Sequence, residues 1–141
     1  EKTYQGRSIP LEIFSNLLIK DRYKFLSLQK GFGANQLETC SFKELFVDCQ
    51  DQINENWNIL DTAAIILNCE LIITTDTLIA HLAGALGKET WLLLTKVPEW
   101  RWGINEPYTF WYPCITIFRQ NISGDWDELM QNVSLRLGKR M

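Results

Sequence analysis

Residues 61–95 read DTAAIILNCELIITTDTLIAHLAGALGKETWLLLT, and this stretch decides the fold. Two apolar runs within it, LIITT at 71–75 and TWLLLT at 90–95, have the composition of parallel strands buried on both faces. Between them lies LIAHLAGAL, a helix-length segment that Asp76 and Thr77 open and that Gly87 closes as a left-handed capping residue would. Ahead of the first run, Asp61 is placed to cap a helix carrying TAAIILNC. Helix, strand, helix and strand joined by short connections predict an α/β domain in three layers, with a mainly parallel sheet between helices.

Working outward, an aromatic loop from Val97 to Pro113 leads to a last strand, CITIFRQ, and then to an amphipathic helix over about 126–137 capped by Asp125. Towards the other end the pattern weakens. Ser8, Ile9 and Pro10 precede LEIFSNLLI, whose apolar residues recur at helical spacing, and a proline in the first turn after a serine cap marks a helix start. Residues 23–29, YKFLSLQ, alternate like a strand and run into the turn-prone KGFG. Leu45–Val47 is a candidate short strand, and 48–58 an exposed loop or irregular helix. Without an internal repeat or a low-complexity tract, the expectation is one domain over 1–141.

Composition narrows the function classes. With 46% apolar and 22% charged residues in 141, the chain can bury roughly two thirds of its unfolded surface in one core. A net charge of −3 offers no broad basic face, so nucleic acid is not an expected partner. Cys40, Cys49, Cys69 and Cys114 are too widely spaced for a metal-binding knuckle and read as reduced, mostly buried thiols. No apolar run reaches the roughly 18 to 20 residues of a membrane span, and EKTYQGRSIP lacks signal-peptide character, so a cytoplasmic location is the default.

The chemistry-bearing residues cluster at 75–87. In open parallel sheets ligands bind beyond the carboxyl ends of strands, where a following helix presents free N–H groups and its positive dipole end to a phosphate. Thr77 adds a hydroxyl, and His81 lies four residues on, on the same helical face. Ala80, Ala83, Gly84 and Ala85 let that helix approach the sheet closely. Spacing alone leaves two plainer readings open: Asp76 as a simple helix cap, and His81 as a hydrogen-bonded core residue. Neither a G-x-G-x-x-G turn nor a phosphate-binding P-loop is present.

The run from Asp61 to Leu94, followed by PEWRW, WYP, IFRQ and GDW and preceded by RSIPLEIF and SLQKG, resembles the carboxyl-terminal half of heptosyltransferase-like GT-B glycosyltransferases. It is especially similar to versions found behind tetratricopeptide repeats in bacterial proteins. The resemblance covers about Arg7 to Leu137. It implies a Rossmann-like domain holding a nucleotide-sugar donor, with Asp76, Thr77 and His81 matching a D-T-x-x-x-H motif against the donor diphosphate and sugar. By position Arg7 and Ser8 match a basic and hydroxylated pair after the domain's first strand, and Lys30 the lysine of a Q-K-G loop. Lysine or arginine there would compensate the charge of a departing nucleoside diphosphate. From sequence alone the plainer reading of Arg7 and Lys30, as solvated surface charges, is the favoured one. The resemblance further implies that an amino-terminal acceptor domain, and the catalytic base with it, lie outside these residues. It departs from the pattern at Gly87-Lys88-Glu89, where Gly-Lys-Pro is common. No cofactor is implied besides the nucleoside diphosphate sugar as substrate. No metal is implied either, since the chain sets out no carboxylate cluster for a cation.

Between Val97 and Pro113 the loop carries Trp100, Trp102, Tyr108, Phe110, Trp111 and Tyr112, enough aromatic surface to stack on a base or sugar, or to pack on the domain or an absent partner. Arg101 is placed to stack on the flanking tryptophans or to pair with Glu99 or Glu106. Glycosyl transfer from a nucleotide sugar is therefore the leading expectation. A nucleotide-recognising or protein-contacting module of a repeat scaffold is the alternative. An uncovered face or sheet edge near Arg7 would favour homodimers.

Overall fold

A computed structural model of the chain describes residues 6–17 and 22–140. In chain order the helices are α1 (Gln36–Thr39), α2 (Gln50–Glu55), α3 (Ile59–Asn68), α4 (Leu78–Ala85) and α5 (Trp126–Lys139), and the strands are β1 (Ile72–Thr75), β2 (Thr90–Leu94) and β3 (Ile115–Arg119). The residues pack as two compact units, one of 6–9 with Ala63–Leu129, the other of 10–17, 22–62 and 130–140. No helix among the described residues is long and apolar enough to cross a membrane.

The first unit is α/β, with an open parallel sheet in the order β1-β2-β3, as in Rossmann-like folds. β2 is buried at every position, as its unbroken apolar sequence requires. Register places Leu92 beside Ile117 and Thr90 beside Ile115, and this face packs with Leu94 against Ala80 of α4 and against Trp102 from the aromatic loop. The opposite face carries Trp91 and Phe118, whose ring centres are 5.4 Å apart. α4 ends in a Schellman motif: Lys88 N–H donates to the Ala83 carbonyl (2.9 Å) and Gly87 N–H to that of Gly84 (3.0 Å). Gly87 sits at φ +70°, the left-handed region expected of it. Of the small residues on α4, Ala80, Ala83 and Gly84 are buried while Ala85 is exposed.

The aromatic loop is partly structured. A 3-10 turn spans Trp100–Trp102, and the loop then doubles back along the free edge of β3, where Tyr108 bridges Thr116 and Ile117 N–H donates to the Pro107 carbonyl (2.7 Å). That pairing covers an edge which would otherwise present open hydrogen-bonding groups. α5 begins as expected, Asp125 Oδ1 accepting from Glu128 N–H at 3.0 Å.

The second unit departs from the sequence expectations. Leu11–Leu17 forms a 3-10 helix rather than an α-helix, and the remainder of LEIFSNLLI falls outside the described residues. YKFLSLQ makes a single parallel bridge, Phe25 to Phe46, instead of a strand. Phe25 N–H donates to the Leu45 carbonyl (3.0 Å) and Val47 N–H to that of Phe25 (2.8 Å), but the partner segment then turns into α2. The buried Gln50 side chain stands in for the missing strand. Its Oε1 accepts from Ser27 N–H (2.8 Å), and its Nε2 donates to the Ser27 carbonyl (2.9 Å) and to Asn54 Oδ1 (2.8 Å). Around this lies a small core of Leu37, Phe42 and Phe46 packed with Leu11 and Phe25.

Two further corrections concern α3 and the thiols. α3 starts at Ile59, and Asn58 caps it, its Oδ1 accepting from Leu60 N–H at 2.9 Å. Asp61 sits in the first turn and instead accepts from Asn56 Nδ2 at 2.7 Å. All four cysteines are free, but Cys49 is exposed and the other three are only half-buried.

Candidate functional site

β1 ends at Thr75, and the chain turns through Asp76 and Thr77 into α4. Thr77 occupies the N-cap with extended backbone angles (φ −135°, ψ 175°), yet its side chain gives the helix no capping hydrogen bond. Its hydroxyl pairs with that of Thr74 at 3.2 Å instead. The first-turn N–H groups of α4 therefore lack the side-chain acceptor that an N-cap threonine ordinarily supplies.

Asp76 is the hub. Its side chain is only 11% exposed, with Oδ2 4.0 Å from Arg7 Nη1 and Oδ1 4.0 Å from His81 Nε2. Both separations are too long for hydrogen bonds, and the second is an ion pair only with a protonated imidazole. Arg7 makes its short contact elsewhere, Nη2 donating to Glu99 Oε1 at 2.8 Å. On the far side of the imidazole, His81 Nδ1 lies 3.1 Å from the Tyr112 hydroxyl. Its ring packs on Trp102, with centres 5.2 Å apart and planes at 31°. Glu99, Arg7, Asp76, His81 and Tyr112 thus form a row of polar side chains crossing the carboxyl edge of the sheet.

A cleft of about 230 Å³ opens on the Arg7 side of this row, walled by Arg7, Thr75, Asp76, Thr95, Glu99 and Trp100, with Trp126 and the strand end of β2 behind. Sites for drug-sized ligands usually run from roughly 300 to 1,000 Å³, so this one has room for only part of such a ligand. Trp100 is largely exposed at its rim, and the Arg101 guanidinium lies 5.9 Å from the centre of the Trp100 ring, which decides for stacking over pairing with Glu99 or Glu106. Two carboxylates face one guanidinium here, so an incoming anion would have to draw Arg7 away from Glu99.

Of the residues singled out from sequence, the structure brings Arg7, Asp76 and His81 into one row, with Thr77 beside them. Arg7 and Asp76 line the cleft, whereas Thr77 and His81 are not in its wall. Ser8 is exposed. Lys30 belongs to the second unit, where its ammonium donates to the Ile53 carbonyl and lies 6.0 Å from the Trp57 ring centre. Burial pulls its pKa below that of an ordinary lysine.

Three participants were not legible in the sequence. Glu99 engages Arg7 from 92 residues away and Tyr112 engages His81 from 31 residues away, separations that no spacing rule reaches. The third, Gly84, serves Tyr112 as well as the sheet, because a Cβ at that position would lie 2.5 Å from the ring's Cγ. Sequence spacing also holds one Asp-x-Asp triplet, Asp125-Trp126-Asp127, but Asp125 is engaged as the α5 cap and Asp127 is exposed. Among the described residues no group of three or more His, Cys, Asp or Glu side chains is arranged to hold a metal ion. The chain matches no protein-family model, no curated protein and no solved structure.

Proposed function

We propose that this chain binds a nucleoside diphosphate sugar at the cleft beside Asp76, as the donor half of a glycosyltransferase resembling the heptosyltransferase-like GT-B enzymes. In that reading an amino-terminal acceptor domain, and tetratricopeptide repeats elsewhere in the same protein, complete it. The observation that supports it most is the meeting of Arg7 and Asp76 at the carboxyl edge of β1, beside the uncapped start of α4. Arg7 and the α4 N–H groups would take the phosphates, and Asp76 would accept from a sugar hydroxyl. Metal does not enter the reading, which rests charge compensation on Arg7.

The test is an amide-resolved NMR titration with ADP, UDP, GDP and their sugar conjugates, repeated on Arg7→Met and Glu99→Gln. One nucleotide is expected to give saturable shifts at residues 75–82. Arg7→Met weakens that binding, and Glu99→Gln tightens it by about three- to tenfold by freeing the guanidinium, which is ~1 kcal/mol. Silence from every nucleotide at millimolar concentration, or a Glu99→Gln variant that binds more weakly, would overturn the reading.

A second reading, a protein-contacting module of a larger scaffold, has its own support. Val97, Trp100, Ile104, Phe110 and Trp111 of the aromatic loop are all exposed, Phe110 by 94%. Apolar exposure of that extent in one loop is a common mark of a contact surface.

A further inference from the structure

We propose that Tyr112 is a positioning residue: its hydroxyl donates to His81 Nδ1, which places the imidazole proton on Nε2 and turns that N–H edge toward Asp76. Three observations carry this. The Tyr112 oxygen lies 3.1 Å from Nδ1, and Nε2 lies 4.0 Å from Asp76 Oδ1, so the two ring nitrogens face different partners. A neutral imidazole carries one proton. Were it on Nδ1, the Nε2 lone pair would confront a carboxylate that is 11% exposed, two electron-rich groups in a poorly solvated place. With the proton on Nε2 the contact becomes attractive, and the phenol supplies the hydrogen bond at Nδ1 that holds this tautomer.

The Tyr112 ring is itself fixed. It lies edge-on to His81 with ring centres 5.8 Å apart, and its inner edge occupies the space left by the absent side chain of Gly84, one turn beyond His81 on α4. Trp102 stacks beside the imidazole and limits its rotation. Tyr112 therefore acts on the cleft through His81 and Asp76. His81 in turn presents an N–H edge to Asp76 across 4.0 Å. The arrangement belongs to the ligand-free protein, and only its use in gripping a donor rests on the proposed function.

The experiment is the imidazole nitrogen NMR spectrum of the protein without nucleotide, at a pH where the ring is neutral, for the natural sequence and for Tyr112→Phe. His81 is the chain's one histidine, so its signals need no assignment by substitution. The natural protein is expected to show the Nε2–H tautomer. Tyr112→Phe keeps the ring over Gly84 and removes a hydroxyl that donates better than it accepts, so the Nδ1–H population should rise, by at most about tenfold, the limit that one hydrogen bond of ordinary net strength sets. A natural protein holding the Nδ1–H tautomer overturns the proposal whether or not the variant folds, and so does a Tyr112→Phe spectrum with unchanged tautomer populations. Because no nucleotide is present, neither result depends on whether the donor-site reading holds.

Discussion

Replacing Gly84 by alanine tests how α4 and the aromatic loop are fitted together. The added Cβ would lie 2.5, 2.7 and 2.9 Å from Cγ, Cδ1 and Cδ2 of Tyr112, so the ring must retreat by about 1 Å to reach ordinary van der Waals contact. A shift of that size also breaks the 3.1 Å contact between Tyr112 and His81. Overpacking costs about 1–3 kcal/mol and the lost hydrogen bond about 0.5–1.5, against a helix-propensity gain of up to about 1 for alanine over glycine. The net expectation is a destabilisation of about 1–3 kcal/mol. The sign then reverses in a Tyr112→Ala background, where nothing opposes the new methyl group and Gly84→Ala becomes stabilising by up to about 1 kcal/mol. Urea unfolding of the four proteins, comparing midpoints at a common slope, measures the cycle. Equal destabilisation in both backgrounds, or a neutral Gly84→Ala with Tyr112 present, would refute the packing argument.

Three further outcomes are expected. Asn58→Ala is expected to cost about 1 kcal/mol by uncapping α3, whereas Asp61→Ala changes stability by less than about 0.5, and denaturant titration separates the two. Gln50→Leu leaves the N–H and C=O of Ser27 without their partner and is expected to destabilise by about 1–3 kcal/mol, seen as faster amide exchange at residue 27. Burial raises the thiols of Cys69 and Cys114 above the ordinary cysteine value; the Lys88 charge opposes this at Cys69 and a hydrogen bond from its own backbone N–H opposes it at Cys114. A raised pKa means less thiolate at a given pH, so mass-resolved alkylation should modify the exposed Cys49 first and reach Cys69 and Cys114 only as the pH climbs further.

Much of the first unit was written in local pattern. TWLLL is almost wholly apolar because β2, the middle strand of the parallel sheet, meets protein on both faces, whereas LIITT ends in two threonines and β1, at the sheet edge, is only partly buried; Gly87 and Asp125 stand where backbone geometry or an N–H group requires them. Asp76 and His81 could likewise be named from residue type and position, and Arg7 only through the family resemblance. In the second unit the same rules failed where a distant group overrode them. YKFLSLQ alternates like a strand, but a strand needs a partner, and α2 begins before Phe46 can extend the pairing, so a glutamine side chain completes it. Asn58 takes the α3 cap in place of Asp61 because the helix starts three residues earlier than its apolar pattern indicates. The arrangement of the site was decided wholly in three dimensions. Periodicity and capping report on neighbours within a turn or two, whereas Glu99 on Arg7, Tyr112 on His81 and the Tyr112 ring over Gly84 are contacts between segments 28 to 92 residues apart. Such contacts exist only once the sheet has fixed where each loop returns.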